Sequence, residues 1–259
     1  MGILLSRAAL SQTGTPQPGP MQQMPSKDDC VQPAPLFSAE DYDGPLNKFV
    51  AYFSRKLEIK TVHGHDHSGK LKFCALRPSE KLRLFVDNNA EPVTFIVAGY
   101  NAGLDQASDN DHAFGQGAAG YGKRYGAALA DQTAGDFFHT FLFPVVFRQD
   151  PRYYRRYEGT FQQRLGHALT HTFVASRDSG GKMFNFSQWL GTACSTVLSN
   201  AYHPGNERGV RPVVARMSVG IASDAGFDVL REFWPEIVHK LKLPFRERNY
   251  PVASARRSQ

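Results

Sequence analysis

Small side chains recur at every fourth position between residues 118 and 134. The positions are Ala118, Gly122, Gly126, Ala130 and Ala134. On a helix, residues four apart lie on one face, so this spacing predicts a smooth stripe against which a second helix packs closely. We expect Gly122 and Gly126 to set the distance to that helix, and close packing to offset the cost of about 1 kcal/mol per helical Gly. The pattern predicts a long helix over about 118–143, which Pro144 ends or kinks.

Two nucleotide-binding motifs overlap the start of this helix. Gly115, Gly117 and Gly120 match G-x-G-x-x-G, and residues 117–123 match G-x-x-x-x-G-K. Both motifs require a buried strand directly before them, so that the loop amides point at a phosphate. The preceding residues 105–112 are polar, and Arg124 stands where a phosphate loop needs a hydroxyl. The residues therefore favour a helix over a nucleotide site.

The chain between Pro78 and Lys240 shows helical periodicity interrupted by Pro and Gly. Hydrophobic residues make up 41% and charged residues 21%, values that exclude collagen-like, coiled-coil and wholly disordered classes. Further helices are predicted to begin near Ser79, Pro92, Phe161, Asn185 or Ser187, and Pro212, the last continuing to Lys240 with a break near Pro235. Small residues repeat the four-residue spacing at Gly191, Ser195 and Ser199, and at Ser218, Ala222 and Gly226. The sequence predicts an all-α, multi-helix bundle over 78–240 with small-residue (Gly/Ala/Ser) packing stripes.

The two ends differ from the bundle. Residues 1–43 are poor in large apolar side chains and predict a disordered N-terminal extension. Its first six residues match a myristoylation pattern and lack the charged region of a signal peptide. Residues 241–259 predict a basic flexible tail, since residues 240–259 carry six Lys and Arg against Glu247 alone. A basic tail can lie on anionic lipid.

Residues 44–77 form a short segment with a different pattern. Residues 57–62 and 70–74 alternate in polarity around a Gly-rich connector, which predicts a β-hairpin. The connector carries His63, His65 and His67, and imidazoles bind divalent transition metals. We expect these three side chains to be exposed and dispensable, because nothing in the connector would orient them. Whether they bind metal stays open.

An Arg- and Tyr-rich segment, residues 148–157, follows the apolar run 137–147. Arg and Tyr are typical of a membrane–water interface, where their apolar stems are buried and their polar ends are hydrated. The alternative is an ordinary turn in which Asp150 caps a helix that starts at Pro151. No stretch reaches the ~18 apolar residues that a spanning helix needs. We therefore expect a helical bundle that lies against a membrane.

The sequence motifs assign no catalytic or metal-binding residue. No G-x-S-x-G is present, and Ala168 stands where a zinc-protease helix bearing His167 and His171 would need Glu. Arg124, Asp131, Asp136 and His139 lie on the long predicted helix. One expectation is that these side chains are exposed or form structural ion pairs. The other is that they form a buried polar network, and such a network can be catalytic.

Residues 117–127, GAAGYGKRYGA, and 150–154, DPRYY, resemble an uncharacterised, acidobacterial-type family of helical envelope proteins. Further similar segments are DSGG at 178–181, FNFS at 184–187, SNAY at 199–202 and EFWP at 232–235. The resemblance covers roughly 78–240. It implies an exported protein of the cell envelope and no particular activity.

Two classes of function follow from these observations. The favoured one is a membrane-associated helical envelope protein with a structural or interaction role, which uses no cofactor, contacts the lipid surface and self-associates through helices. The alternative is a small-substrate or lipid-modifying enzyme with a polar site between the helices. The alternative predicts a pocket lined by Arg124, Asp131, His139 or His167, and the first predicts no such pocket. Nucleic acid is not expected, because a net charge of +6 with one local basic cluster is a poor footprint for it.

Overall fold

The computed structural model describes residues 35–37, 41–63, 73–110, 112–156, 158–203 and 209–245. The predicted extension, tail and His65–His67 connector lie wholly or mostly outside these ranges. The described part is mostly helical, which confirms the helical class in coarse form. Its α-helices are α1 (Asn47–Glu58), α2 (Pro78–Ala90), α3 (Pro92–Ala107), α4 (Gly117–Asp136), α5 (Phe143–Phe147), α6 (Phe161–Thr170), α7 (Phe186–Ser199) and α8 (Val210–Lys240).

Two small sheets accompany the helices, so the all-α prediction is incomplete. Their strands are β1 (Thr61–Val62), β2 (Gln149–Asp150), β3 (Tyr153–Tyr154), β4 (Val174–Arg177) and β5 (Lys182–Phe184). β1 pairs with β3 in parallel, and β4 pairs with β2 and β5 in antiparallel fashion. Gly180 and Gly181 join β4 to β5 with φ angles of 90° and 86°, which glycine adopts without a Cβ clash.

The predicted hairpin in residues 44–77 is wrong for its first arm. Leu57 and Glu58 end α1, and the two strand residues that follow pair with Tyr153 and Tyr154 instead of a neighbouring arm. Helix α1 forms because Val50, Phe53 and Leu57 lie three and four positions apart and share one face. Leu57 packs with Trp234 and Val238 of α8 in the apolar core. The short strand β1 is what the structure keeps of the first arm, and residues 70–72 of the second arm lie outside the described residues.

Local capping explains where several helices begin. The Arg77 amide donates to the Glu80 carboxylate (2.7 Å), so α2 starts one residue before the predicted Ser79. Thr160 and Gln163 cap α6 reciprocally, and the Asn185 side chain accepts from the Gln188 amide (3.0 Å) at the start of α7. Helix α8 is continuous through Pro235, so the predicted break is wrong.

The long predicted helix is interrupted by a wider turn. Residues 137–142 form a π-helical turn between α4 and α5, and Pro144 follows it inside α5. Pro has no N–H, and its ring clashes with a carbonyl in a regular helix. The π turn relieves that conflict, and such turns are frequent at functional sites. The chain thus passes Pro144, and α5 ends only at Arg148, whose φ is 53°.

Helix α4 does not pack through its small-residue stripe. A Cβ added at Gly122 or Gly126 would meet no atom within 4 Å, so the predicted close packing at these glycines is wrong. The inward face instead carries Gly120, Arg124 and Ala127, which are buried. Arg124 sets this orientation because its guanidinium donates to backbone carbonyls of the preceding loop.

The interior of the molecule is unusually polar. Among the described residues, buried polar and charged side chains outnumber buried apolar ones, and many large apolar side chains are exposed. Helix α3 packs on α4, and α7 packs on both α4 and α8. None of the described helices has the length and apolar character needed to cross a membrane.

Helix α7 shows this arrangement most clearly. Its inward face carries Ser187, Gly191, Thr192, Thr196 and Ser199, all buried. Its outward face carries Phe186, Leu190, Cys194, Val197 and Leu198, all exposed. An amphipathic helix of a water-soluble domain has the opposite distribution.

Candidate functional site

A cavity of about 850 Å³ lies between α1, α3, α4, α7 and α8. Its volume is within the range of small-molecule sites. The inward hydroxyls of α7 line one side. The charged side chains in its wall include Lys56, Lys60, Asp131, Asp136, Asp224 and Arg231.

Asp136, the last residue of α4, collects four hydrogen bonds in this wall. Its carboxylate accepts from Lys60 Nζ, from Thr140 Oγ1 (2.6 Å), and from the side-chain amides of Asn88 (2.9 Å) and Asn89 (2.5 Å). Burial acts to raise the pKa of Asp136, but Lys60 and these hydrogen bonds outweigh it, and the net pKa lies below the ordinary value. Asp136 is therefore a fixed anion that ties α1, α2 and the π turn together.

His139 lies in the π turn and faces α7. Its Nε2 is 3.1 Å from Thr192 Oγ1, and its Nδ1 is 3.5 Å from a carboxylate oxygen of Asp224 on α8. The side-chain amide of Gln188 (Nε2) donates to the same Asp224 oxygen (2.8 Å) and holds it in place. A Cβ added at Gly191 would lie 2.7 Å from His139 Nε2, so only glycine leaves room for the imidazole.

The protonation of His139 follows from these contacts. Burial lowers its pKa, although Asp224 acts in the opposite direction, so the ring is neutral at pH 7. The Thr192 hydroxyl donates to the Gln188 carbonyl (2.7 Å) and therefore accepts from His139 Nε2. The unprotonated nitrogen is then Nδ1, where a proton taken up would lie beside the Asp224 carboxylate. The Asp224 carboxylate would therefore stabilise the imidazolium that such an uptake forms.

Asp131 lies five residues before Asp136 on α4 and belongs to a separate hydrogen-bonded cluster. Its carboxylate accepts from the Tyr202 hydroxyl (2.5 Å) and contacts His203 Nε2 (3.1 Å). Burial acts to raise the pKa of Asp131, but the hydrogen bonds from His203 and Tyr202 outweigh it and leave the pKa below its ordinary value. Both partners follow the end of α7, so Asp131 fixes that end against α4.

A fourth group joins α6 to α8. His171 Nδ1 contacts Asp228 (2.6 Å), and Arg231 donates to the other oxygen of the same carboxylate (2.6 Å). Burial opposes ionisation, but His171 and Arg231 together hold the pKa of Asp228 below its ordinary value. His171 and Arg231 both line the cavity.

The sequence-predicted polar residues are thus brought to one cavity, but not into one network. Arg124, Asp131 and His139 line it, as the enzyme alternative predicts, and Asp136 does so too. Arg124 is buried and donates to the carbonyls of Asn110 (3.0 Å) and Gly115 (2.5 Å), so it fastens a loop. His167 lies outside the lining and contacts the Tyr154 carbonyl (2.8 Å).

The expectation of an exposed His63 is wrong. Its side chain is 5% exposed, contacts Glu58, and accepts from Arg155 (3.2 Å). His65 and His67 lie outside the described residues. Within the ranges that the structure describes, no three His, Cys, Asp or Glu side chains come close enough together to hold a metal ion.

The Arg/Tyr segment is neither an interface belt nor a capped turn. Arg152, Tyr153 and Arg155 are buried, and no helix starts at Pro151. Asp150 pairs with Arg152 (2.6 Å) and accepts from the Tyr154 hydroxyl (2.5 Å). The segment is an internal frame that holds β2 and β3 beside the cavity.

Glu232 anchors the other side of this frame. Its carboxylate is fully buried and accepts from the Tyr153 hydroxyl (2.7 Å), the Arg164 guanidinium (2.9 Å) and the Arg156 amide (3.0 Å). Lys81 is equally buried and donates to Asp178 (2.6 Å) and to the Gln149 carbonyl (2.8 Å). Glu232 and Lys81 therefore hold the frame from outside the lining of the cavity.

Sequence reasoning missed Lys56, Lys60 and Asp224 as cavity residues. Lys56 lies in the last turn of α1 and Lys60 follows two residues after its end, a four-residue spacing typical of one helix face that the hairpin prediction obscured. Asp224 shares a face with Asp228 in the same way. A comparison with family models, curated proteins and solved structures finds no match to this chain.

Proposed function

We propose that the protein is a membrane-associated enzyme that acts on an amphiphile. The polar head of the substrate enters the cavity, and its apolar part stays at the outer surface. The observation that carries the proposal is α7, which turns hydroxyls to the cavity and apolar side chains outward. A cavity inside an ordinary soluble protein has no need of an apolar exterior, whereas a site for an amphiphile needs both.

The rim of the cavity supports this substrate class. Leu104 of α3 and Val219 of α8 line the cavity and are 48% and 65% exposed. Tyr100 and Ile96, one and two helical turns before Leu104, are exposed as well. An amphiphile would therefore meet apolar side chains at the mouth and charged groups inside.

His139 supplies the chemistry in this proposal. As a neutral base beside Asp224, it takes a proton from a water or a substrate hydroxyl, and the resulting imidazolium is stabilised by the carboxylate. The π turn and Gly191 fix its position, which a general base requires. The proposed reaction class is hydrolysis or group transfer at the head of the amphiphile.

The disulfide state of the chain supports a location in the envelope. Cys74 is disulfide-bonded, whereas Cys194 is free. Disulfides persist in oxidising compartments outside the bacterial cytoplasm. The proposed location is therefore the cell envelope, at a membrane surface.

The test compares two histidine variants on short-chain p-nitrophenyl esters and phosphodiesters. His139→Gln should lower turnover by about 10²–10⁴-fold, because the general base is removed. His167→Gln is the matched control, since this imidazole lies on α6 outside the cavity, and it should leave turnover unchanged. Equal rates for both variants and the wild type would contradict the assignment of His139.

A second candidate is the non-catalytic, membrane-associated envelope protein. The exposed apolar side chains of α7 favour it as well, because they need only a lipid surface. Its main sequence argument, close packing through Gly122 and Gly126, no longer applies. Detergent-dependent extraction from native membranes, together with no turnover on any substrate, would favour this candidate over the enzyme.

A further inference from the structure

One end of the cavity carries more positive than negative charge. Lys56 Nζ donates to the Asn88 carbonyl (2.6 Å) and to Thr94 Oγ1 (2.8 Å). No carboxylate of the described residues lies within 4.0 Å of it. Lys60 and Arg231 also line this end, and each is neutralised by one carboxylate, Asp136 and Asp228 respectively. Among the described residues, Lys56 is therefore the cation of this end that contacts no carboxylate, and Asp136 and Glu91 act on it only from a distance.

Arg231 has an unused donor at the same place. Its Nη1 binds Asp228, but its Nε is buried and has no hydrogen-bond acceptor among the described residues. A buried donor without an acceptor costs free energy, which a bound anion would recover. Burial, and then the neighbouring Lys60 ammonium, lower the pKa of Lys56 to about 8, and they outweigh the carboxylates of Asp136 and Glu91, which act to raise it. A bound anion would therefore be attracted by Lys56, Lys60 and Arg231 together.

We propose that Lys56, Lys60 and Arg231 form an oxyanion subsite, which holds a singly charged phosphodiester or carboxylate. A single negative charge balances Lys56, whereas a phosphate monoester dianion would leave an excess of buried negative charge. The inference rests on the proposed function, since it names the chemistry of the amphiphile's head. Lys56 contributes a point charge, and Arg231 contributes a directed N–H donor.

The probes are dimethyl phosphate and its neutral counterpart trimethyl phosphate, followed by NMR titration of the full-length protein. Dimethyl phosphate should bind, and trimethyl phosphate should not. Lys56→Met should weaken binding about tenfold or more, because one charge-assisted hydrogen bond is lost. Lys56→Arg should retain it. Lys123→Met is the matched control, since Lys123 is exposed on α4 outside the cavity, and it should bind as the wild type does.

Equal affinity of Lys56→Met and Lys123→Met for dimethyl phosphate would overturn the subsite, and so would equal binding of the two probes. A thermal melt of each variant separates lost binding from lost folding. Dihexanoyl phosphatidylglycerol, also a phosphodiester monoanion, identifies the source of the anion. Tighter binding of this lipid than of dimethyl phosphate supports a lipid head group. Equal binding keeps the subsite but contradicts the amphiphile proposal, so the two failures are distinguishable.

Discussion

Helices α4 and α7 carry the same sequence pattern in opposite surroundings. Gly126 of α4 belongs to a four-residue stripe whose added Cβ would meet open space. Gly191 of α7 belongs to a similar stripe, and its added Cβ would overlap the His139 imidazole. The spacing indicates a smooth face in both helices, but it does not indicate what lies opposite. In this molecule the inward faces are the polar ones, and that difference decides where substitutions should matter.

The largest difference in stability is expected between variants of two glutamates that bind the same arginine. Glu232 and Glu236 both pair with Arg164, but Glu232 is fully buried and Glu236 is half-exposed. Glu232→Ala should lower the free energy of unfolding by about 3–5 kcal/mol, because it removes the buried carboxylate that accepts from the Tyr153 hydroxyl, Arg164 Nε and the Arg156 amide. Glu236→Ala should cost about 0–1 kcal/mol. Urea unfolding in detergent measures both, and equal losses would refute the polar interior.

The next comparison replaces glycine by alanine on the two stripes. Gly191→Ala should cost about 1–3 kcal/mol through overpacking and should displace His139 from Thr192. Gly126→Ala should stabilise the protein by up to about 1 kcal/mol, because its Cβ is free and Ala favours helix. Thermal melts and the imidazole NMR signals of His139 report these effects. A destabilised Gly126→Ala with an unaffected Gly191→Ala would reverse the comparison.

The pH dependence of stability should reveal the desolvation of Lys56 in the folded protein. Its pKa is lowered from 10.5 to about 8 in the folded protein, so between these values the unfolded chain binds more protons. The free energy of unfolding should therefore gain from this group as the pH rises through that window. Unfolding titrations of Lys56→Met should lack this gain, and those of Lys123→Met should retain it. An identical pH profile for both variants would show that the Lys56 ammonium is hydrated in the folded protein and keeps its ordinary pKa.

The smallest effect on stability is expected on the outward face of α7. Leu198→Ser and Val197→Ser change exposed side chains and should shift the free energy of unfolding by no more than about 0.5 kcal/mol. They should nevertheless reduce co-flotation with lipid vesicles. The exposed Arg83 of α2, changed to Ser, is the polar control. Unchanged flotation of the two α7 variants would argue against a lipid-facing α7.

The sequence predicted the helices better than their orientation. Periodicity and Pro residues located α2, α3 and α7 closely, because these signals are local. The pairing of Lys60 with Asp136 joins residues 76 positions apart, and no local pattern specifies such a contact. The outward stripe of α4 was misjudged for the same reason, since the packing partner of a face is a property of the whole fold.

The candidate site was predictable in its residues but not in its chemistry. Asp131, Asp136 and His139 were recognisable as polar groups on one helix, and they do line one cavity. Their separation into different groups depends on partners from α1, α7 and α8. The π turn that aims His139 at Gly191 arises from the conflict between Pro144 and a regular helix, which sequence indicates only as a break.

The most direct test of the central claim uses two adjacent residues of α7. Cys194 is a free, exposed thiol on the outward face, and Ser195 lines the cavity. Two labelled proteins are compared, and neither has any other reactive thiol. One carries a spin label on Cys194, and the other carries it on Ser195→Cys in a Cys194→Ser background. Both are measured while bound to lipid vesicles. The account predicts that the label at 194 is relaxed mainly by oxygen, as in lipid, and the label at 195 mainly by a water-soluble nickel complex. Preferential relaxation of both labels by the nickel complex would contradict an apolar exterior that faces a membrane around a polar cavity.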